Sequence, residues 1–244
     1  MSTLKVTTIE HGSTTDGGIQ LDSSGHVTID GQQLPTAGPL SNRNLVINGA
    51  MNVAQRGTSS TSSGIQTIDR FNGAWNGGAV TQTQETLTSG DPYNEGFRKF
   101  ARLQNTTTST GASDYRELLY KFEAQDLAQS GWQYTSATSY ITVSFWVRSS
   151  VAQTYYGFFM SRDGTDQVYS FPFTLAANTW TKVTETISGD SDIQIDNDNG
   201  DGGFVSFVAF YGTSYTDSGN TDRTWRARTS GNDYLLDMTN TWAN

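Results

Sequence analysis

Eight residues near the middle of the chain alternate without a break: Ile141, Val143, Phe145 and Val147 interleave with Thr142, Ser144, Trp146 and Arg148. A period of two puts one set on each side of a β-strand, so this stretch predicts a strand with one face in a core and one in water. Further strand signals recur along the chain. Residues 155–161 and 167–173 flank Asp163-Gly164 as a hairpin, 180–187 alternates again, and 204–211 is apolar enough for the centre of a sheet. Leu45-Val-Ile47 predicts a strand running into the Asn48-Gly49 turn, and 224–228 predicts a short late strand.

Composition agrees with an all-β chain. Only 16% of the 244 residues are charged, against about 25% in an average soluble protein. Polarity comes from Ser, Thr, Asn and Gln, and 25 glycines serve turns. This balance suits an extracellular or virion protein. There is no cysteine, which excludes disulfide frameworks, thiolate zinc sites and cysteine nucleophiles together. His11 and His26 are too few for imidazole metal sites or Ser-His catalysis. Twenty-four acidic against 15 basic residues give a net charge of −9 and argue against nucleic acid as a partner. No apolar run reaches the length of a membrane span, so no membrane insertion is expected. Residues 1–10 lack the basic-then-apolar pattern of a signal peptide.

Residues 1–42 differ from the rest. Leu4, Val6 and Ile9 are spaced as a short strand, and Ile19 and Leu21 face Val27 and Ile29 across a glycine-containing loop. Such small hairpins are marginal alone in water. The segment therefore reads as an assembly arm whose copies intertwine or dock onto a larger structure; the plain alternative is an ordered tail lying on its own domain. Leu34-Pro-Thr-Ala-Gly-Pro-Leu40 is a linker by composition, and the main domain is placed at 43–244. Residues 115–124 are ambiguous. Tyr115, Leu118, Leu119 and Phe122 fit a helix, whereas Leu118, Tyr120, Phe122 and Ala124 fit a strand. Residues 126–129, before Gly131, predict one short helical turn.

The block Asn44-Leu-Val-Ile-Asn-Gly-Ala-Met-Asn-Val-Ala-Gln-Arg-Gly-Thr58 resembles the opening of a jelly-roll, carbohydrate-binding-like domain of bacteriophage tail fibres and related virion appendages. Ile68-Asp-Arg-Phe71 resembles its first core strand, 142–150 its central strand, and 177–189 the strand before its Gly-Asp turn. The resemblance spans about 44–230. It implies an antiparallel jelly-roll β-sandwich preceded by an extended β-rich N-terminal arm, and a strand at 117–123. The arm is similar to those that begin fibre proteins of marine and cyanobacterial phages, which trimerise and attach to the particle. Family members continue into one more apolar strand. Here Tyr234-Leu-Leu-Asp-Met238 supplies a shortened version, or the chain ends before it.

No Gly-x-Ser-x-Gly elbow, P-loop or His-Glu-x-x-His is present. Carboxylate pairs such as Glu117 with Glu123 or Asp163 with Asp166 could in principle hydrolyse glycans. Alternation instead places the first pair on a solvated face, and the second brackets a turn. Asp190-Ser-Asp192 and residues 196–203 form the densest acidic cluster, with Asp196, Asp198 and Asp201 the candidate calcium ligands, although Gly200 and Asp201 break the EF-hand order; a flexible acidic turn is the simpler reading. Structural calcium is the one cofactor considered. Aromatic rings can stack on the apolar faces of sugars, which nominates Trp75, Trp132, Tyr134 and Trp146 as glycan-binding residues. Trp75 and Trp132 sit beside glycines that could present them on loops, and Trp146 alternates away from Phe145. Core or subunit packing is the competing reading for each. Trp180 is read as packing at a strand start, and the scattered arginines as ties between loops.

The expectation is a non-enzymatic, tail-fibre-like virion protein. Its partners would be two further copies of itself in a homotrimer, other tail or capsid proteins, and a bacterial surface glycan. Capsid decoration or a head fibre is the first alternative, and a glycan depolymerase the second.

Overall fold

The computed structural model describes residues 8–9, 19–21, 27–29, 32–33, 44–107, 110–231 and 233–235. The chain divides into two compact units, residues 1–43 and 44–244. The first contains an antiparallel meander of β1 (Thr8–Ile9), β2 (Ile19–Leu21), β3 (Val27–Ile29) and β4 (Gln32–Gln33). Ile19 pairs with Ile29 and Leu21 with Val27, the register that their alternation predicts. Leu4, Val6, the 34–40 linker and Met238 lie outside the described residues.

The second unit is all-β and sandwich-like, with only two short helices described. Its elements in chain order are β5 (Ser59–Ser60), β6 (Phe71–Asn76), β7 (Ala79–Thr86), α1 (Asp91–Asn94), β8 (Lys99–Thr107), β9 (Tyr115–Glu123), α2 (Ala124–Ala128), β10 (Tyr140–Val147), β11 (Gln153–Ser161), β12 (Gln167–Leu175), β13 (Thr181–Ser188), β14 (Asp201–Tyr211) and β15 (Trp225–Ala227). Six strands form one antiparallel sheet in the order β15-β12-β11-β14-β9-β6. Smaller antiparallel sheets are β5-β7-β8 and β10-β13.

Alternation gives the six-stranded sheet two faces, and both are buried. The cross-strand row Phe71, Tyr120, Val205, Phe159, Tyr169, Trp225 lies on the first face. It packs with Ile187 of β13, the inward Ile141, Val143 and Phe145 of β10, and Ala101 of β8. The Phe145 ring lies 4.4 Å from Phe207 and 5.5 Å from Phe173 between centroids. Gly157 has a steric reason here: a Cβ would fall 2.4 Å from the Phe171 ring.

The row Leu119, Ser206, Phe158, Ser170 lies on the second face. Residues 212–222 and 233–235 strap it down. Tyr234 packs 5.4 Å from Phe158 and 5.8 Å from Tyr211, and Leu235 is fully buried. Arg226 fastens the strap: Nε donates to the Asp233 carbonyl at 2.8 Å, Nη2 to the Tyr234 carbonyl, and Nη1 to Ser170 Oγ at 3.2 Å. Arg223 grips Glu185 of β13 with two bonds, Nε–Oε1 at 2.9 Å and Nη2–Oε2 at 3.2 Å.

Three local expectations need correction. Residues 45–47 are not a strand: the Ile47 N–H donates to the Tyr120 hydroxyl at 2.9 Å and the chain turns at 47–50. The first core strand starts at Phe71, because Asp69 and Arg70 form a turn and Arg70 has φ 75°. Glu117 is not solvated, since the strap covers its face. The 115–123 segment is a strand, the short helix begins at Ala124, and the 155–173 hairpin, β10, β13, β14 and β15 form where the alternation places them.

Candidate functional site

Both faces of the six-stranded sheet being occupied, the outward face of β10 and β13 is one surface that carries aromatic side chains toward solvent among the described residues. Alternation turns Tyr140, Thr142, Ser144 and Trp146 outward on β10. Their partners across the ladder are Ser188, Thr186, Thr184 and Lys182. Hydroxyls run along the middle: Thr142 and Thr186 Oγ1 atoms are 3.2 Å apart, and Thr184 lies 3.5 Å from Ser144 Oγ. Tyr140, 60% exposed, marks one end. Trp146 marks the other, six residues and about 20 Å along the strand.

The Trp146 ring is held from two sides. Its Nε1–H donates to Glu95 Oε2 at 3.0 Å. Lys182 Nζ sits 5.7 Å from the ring centroid and donates to both Glu95 oxygens, at 3.1 and 3.0 Å. Glu95 follows α1, whose Pro92 occupies an early helical position where its missing N–H is harmless. These bonds, the Trp146 indole first and Lys182 second, hold the Glu95 carboxyl below its usual pKa. An oriented indole beside a carboxylate, an ammonium and a row of hydroxyls can stack on one planar apolar ligand face and hydrogen-bond its rim.

The other nominated aromatics are placed differently. Trp132 belongs to the core, 6% exposed, with its ring edge-on to Phe159 at 5.9 Å. Gly131 precedes it with φ 86°, and the indole Nε1–H donates to the Ser139 carbonyl at 3.4 Å. Tyr134 packs beside it at 6.3 Å and donates its hydroxyl to the Ile195 carbonyl at 3.3 Å. Trp75 lies within β6, half-buried, not on a loop; Gly77 and Gly78, both with positive φ, make the following turn. Trp180 precedes β13, with its ring edge-on to Phe100. Of the nominated four, only Trp146 stands on the β10–β13 outward face. Tyr140 was missed, although its outward register follows from the same alternation.

The acidic cluster does not converge. Asp196 donates its backbone N–H to Asp163 at 2.8 Å, Asp198 accepts the Gly200 N–H at 2.8 Å, and Asp201 starts β14 paired to Lys121. The Asp198 and Gly200 carbonyls accept N–H groups at the start of α2, a structural use of the loop. Among the described residues no three carboxylate or imidazole groups are placed to hold a metal ion. The carboxylate pairs also separate. Glu117 Oε2 accepts bonds from Ser206 and, at 2.8 Å, from Tyr211 under the strap, and burial pushes its pKa up. Glu123 ends β9 near Arg70, while Asp166 pairs with Arg162 and Arg228.

Among the described residues no helix is long and apolar enough to cross a membrane. Comparison with family models, curated proteins and solved structures finds no match.

Proposed function

We propose that this chain is a structural protein of a bacteriophage particle, a tail-fibre-like component with a jelly-roll domain. In this reading residues 1–43 anchor it and bring three copies together. The 44–244 unit then presents the outward face of β10 and β13 to a bacterial surface glycan. The observation that carries the reading is that face: two aromatic rings on one strand with hydroxyls between them, and an indole clamped by Glu95 and Lys182. The short strands of the first unit support it too, because ladders of two or three residues gain stability by association. Three weak sites on one particle arm would add through effective concentration.

Two measurements on the full chain test the reading. Light scattering should give three times the 26.6 kDa chain mass. An array of purified bacterial lipopolysaccharides and capsular polysaccharides should give binding that Trp146→Ala and Tyr140→Ala abolish. A single-chain mass, or an array signal indifferent to both substitutions, contradicts it.

A further inference from the structure

The two ends of the β10–β13 outward face differ in charge. Ser188, the ladder partner of Tyr140, leads into Asp190 and Asp192, and the Gly189 and Asp190 N–H groups donate to the Ser139 and Tyr134 carbonyls. Carboxylates therefore stand at the Tyr140 end. At the other end Arg148 follows Trp146 by two residues, on the same side of the alternation and about 7 Å further along the chain. Lys182 and Glu95 neutralise one another beside Trp146, so the Arg148 guanidinium sets the sign there.

Arg148 is less engaged than the other described cations. Eight lysines and arginines pair with a carboxylate. Arg116 and Arg226 donate to backbone carbonyls inside the fold, Arg98 lies over the Tyr93 ring, and Lys99 donates to Thr86. Arg148 is exposed, and its one side-chain bond among the described residues runs from Nη2 to Asn178 Oδ1 at 3.4 Å. Asn178 is itself fixed, with φ 57° and its N–H donating to the Ser149 carbonyl at 2.7 Å. The guanidinium is thus steadied from one side, while the rest of its donor fork remains for an oxyanion, which it can hold bidentately.

We infer that the glycan taken by this face is acidic: one sugar ring stacks on Trp146 while its carboxylate or phosphate pairs with Arg148. The inference rests on the proposed glycan-binding role of the face and names the class of glycan. A chain of net charge −9 repels a polyanion as a whole, so an acidic sugar gains only beside a cation that no carboxylate of the protein has neutralised. Charge also sets the direction. The acidic sugar sits at the Trp146 end, and the glycan runs over the hydroxyl row toward Tyr140, where Asp190 and Asp192 would repel a second oxyanion.

The test applies the full chain to purified bacterial capsular polysaccharides and lipopolysaccharides, each acidic member printed untreated, carboxyl-reduced and dephosphorylated. The expected signal falls on acidic members and drops about tenfold or more when the oxyanion is removed. The treatment that removes it tells carboxylate from phosphate. Arg148→Gln should lower the untreated members to the level of the treated ones and leave the treated ones unchanged. Its unfolding midpoint should match that of the parent chain, since one long surface bond is lost. Signal equal on treated and untreated members, or untouched by Arg148→Gln, with Trp146→Ala still abolishing it, overturns this inference and leaves the glycan reading standing. Signal that survives Trp146→Ala, or none on any member, overturns both.

Discussion

The two faces of the six-stranded sheet are built from the same strands but held by different means. On the first face rings meet rings and aliphatic side chains from two other sheets, and polar groups sit at its margins: Arg116 bonded to Asn105 and the Asn76 carbonyl, Glu185 to Tyr169 and Arg223, and the Tyr120 hydroxyl to Ile47. On the second face a strap lies over the sheet, and polar groups are sealed in with the apolar ones: Glu117 with Ser206 and Tyr211, and Ser170 with Asp222 and Arg226. The contrast is instructive because a largely apolar centre tolerates reshaping, whereas sealed polar groups demand every partner. The first face should therefore fail by losing volume and the second by losing a bond.

The largest effect expected is from Phe171→Ala and Phe158→Ala, one on each face and both fully buried. Each should cost about 3–5 kcal/mol in denaturant unfolding. Only Phe158→Ala should also raise hydrogen exchange at 233–235, since its ring carries Tyr234. Equal exchange in the two variants would erase the distinction. Next comes Arg226→Met, which leaves the Asp233 and Tyr234 carbonyls without their donor and should cost about 1–3 kcal/mol. Protease cleavage confined to the strap would be its signature.

Glu117 supplies a pH test of the second face. Burial raises its folded pKa above the ordinary 4.5, so its contribution is fully present at acid pH and is lost as pH rises through the raised value. Stability measured from pH 4 upward should fall on this account, and Glu117→Gln should flatten that part of the profile. An unchanged profile would remove Glu117 as its source. Smallest in stability is Trp146→Ala, on the outer face of β10, at about 1 kcal/mol or less.

These differences also decide what could be read in advance. Ile141 to Val147 declare their strand and its outward face, because one side is core and the other water. β11, β12 and β14 are legible as apolar runs. The β7–β8 pair is silent, since its inward Gln82 is buried yet polar, bonded to Thr67, Ser62 and Gly64 instead of packed by apolar neighbours. Glu117 misleads for a related reason. Alternation separates two faces of a strand, but the strap that buries the second arrives from a hundred residues away. Half of the candidate site was visible: Trp146 by its register, but not Glu95, whose role depends on α1 reaching β10. Trp132 sits beside Gly131, yet its ring is held inward against Phe159, with its indole donating to the Ser139 carbonyl.

Glu95 bears on the central claim that the β10–β13 face is the binding surface. Its lowered pKa means the clamp on Trp146 is intact above the usual carboxylate range and is lost as the carboxylate protonates at lower pH. The most direct measurement is calorimetric titration of the full chain with the polysaccharide selected on the array, repeated with Trp146→Ala and with Trp75→Ala at the β6 edge. The account predicts binding that disappears with Trp146→Ala, persists with Trp75→Ala, and weakens as acid releases the clamp. Binding kept by Trp146→Ala and lost by Trp75→Ala would contradict it.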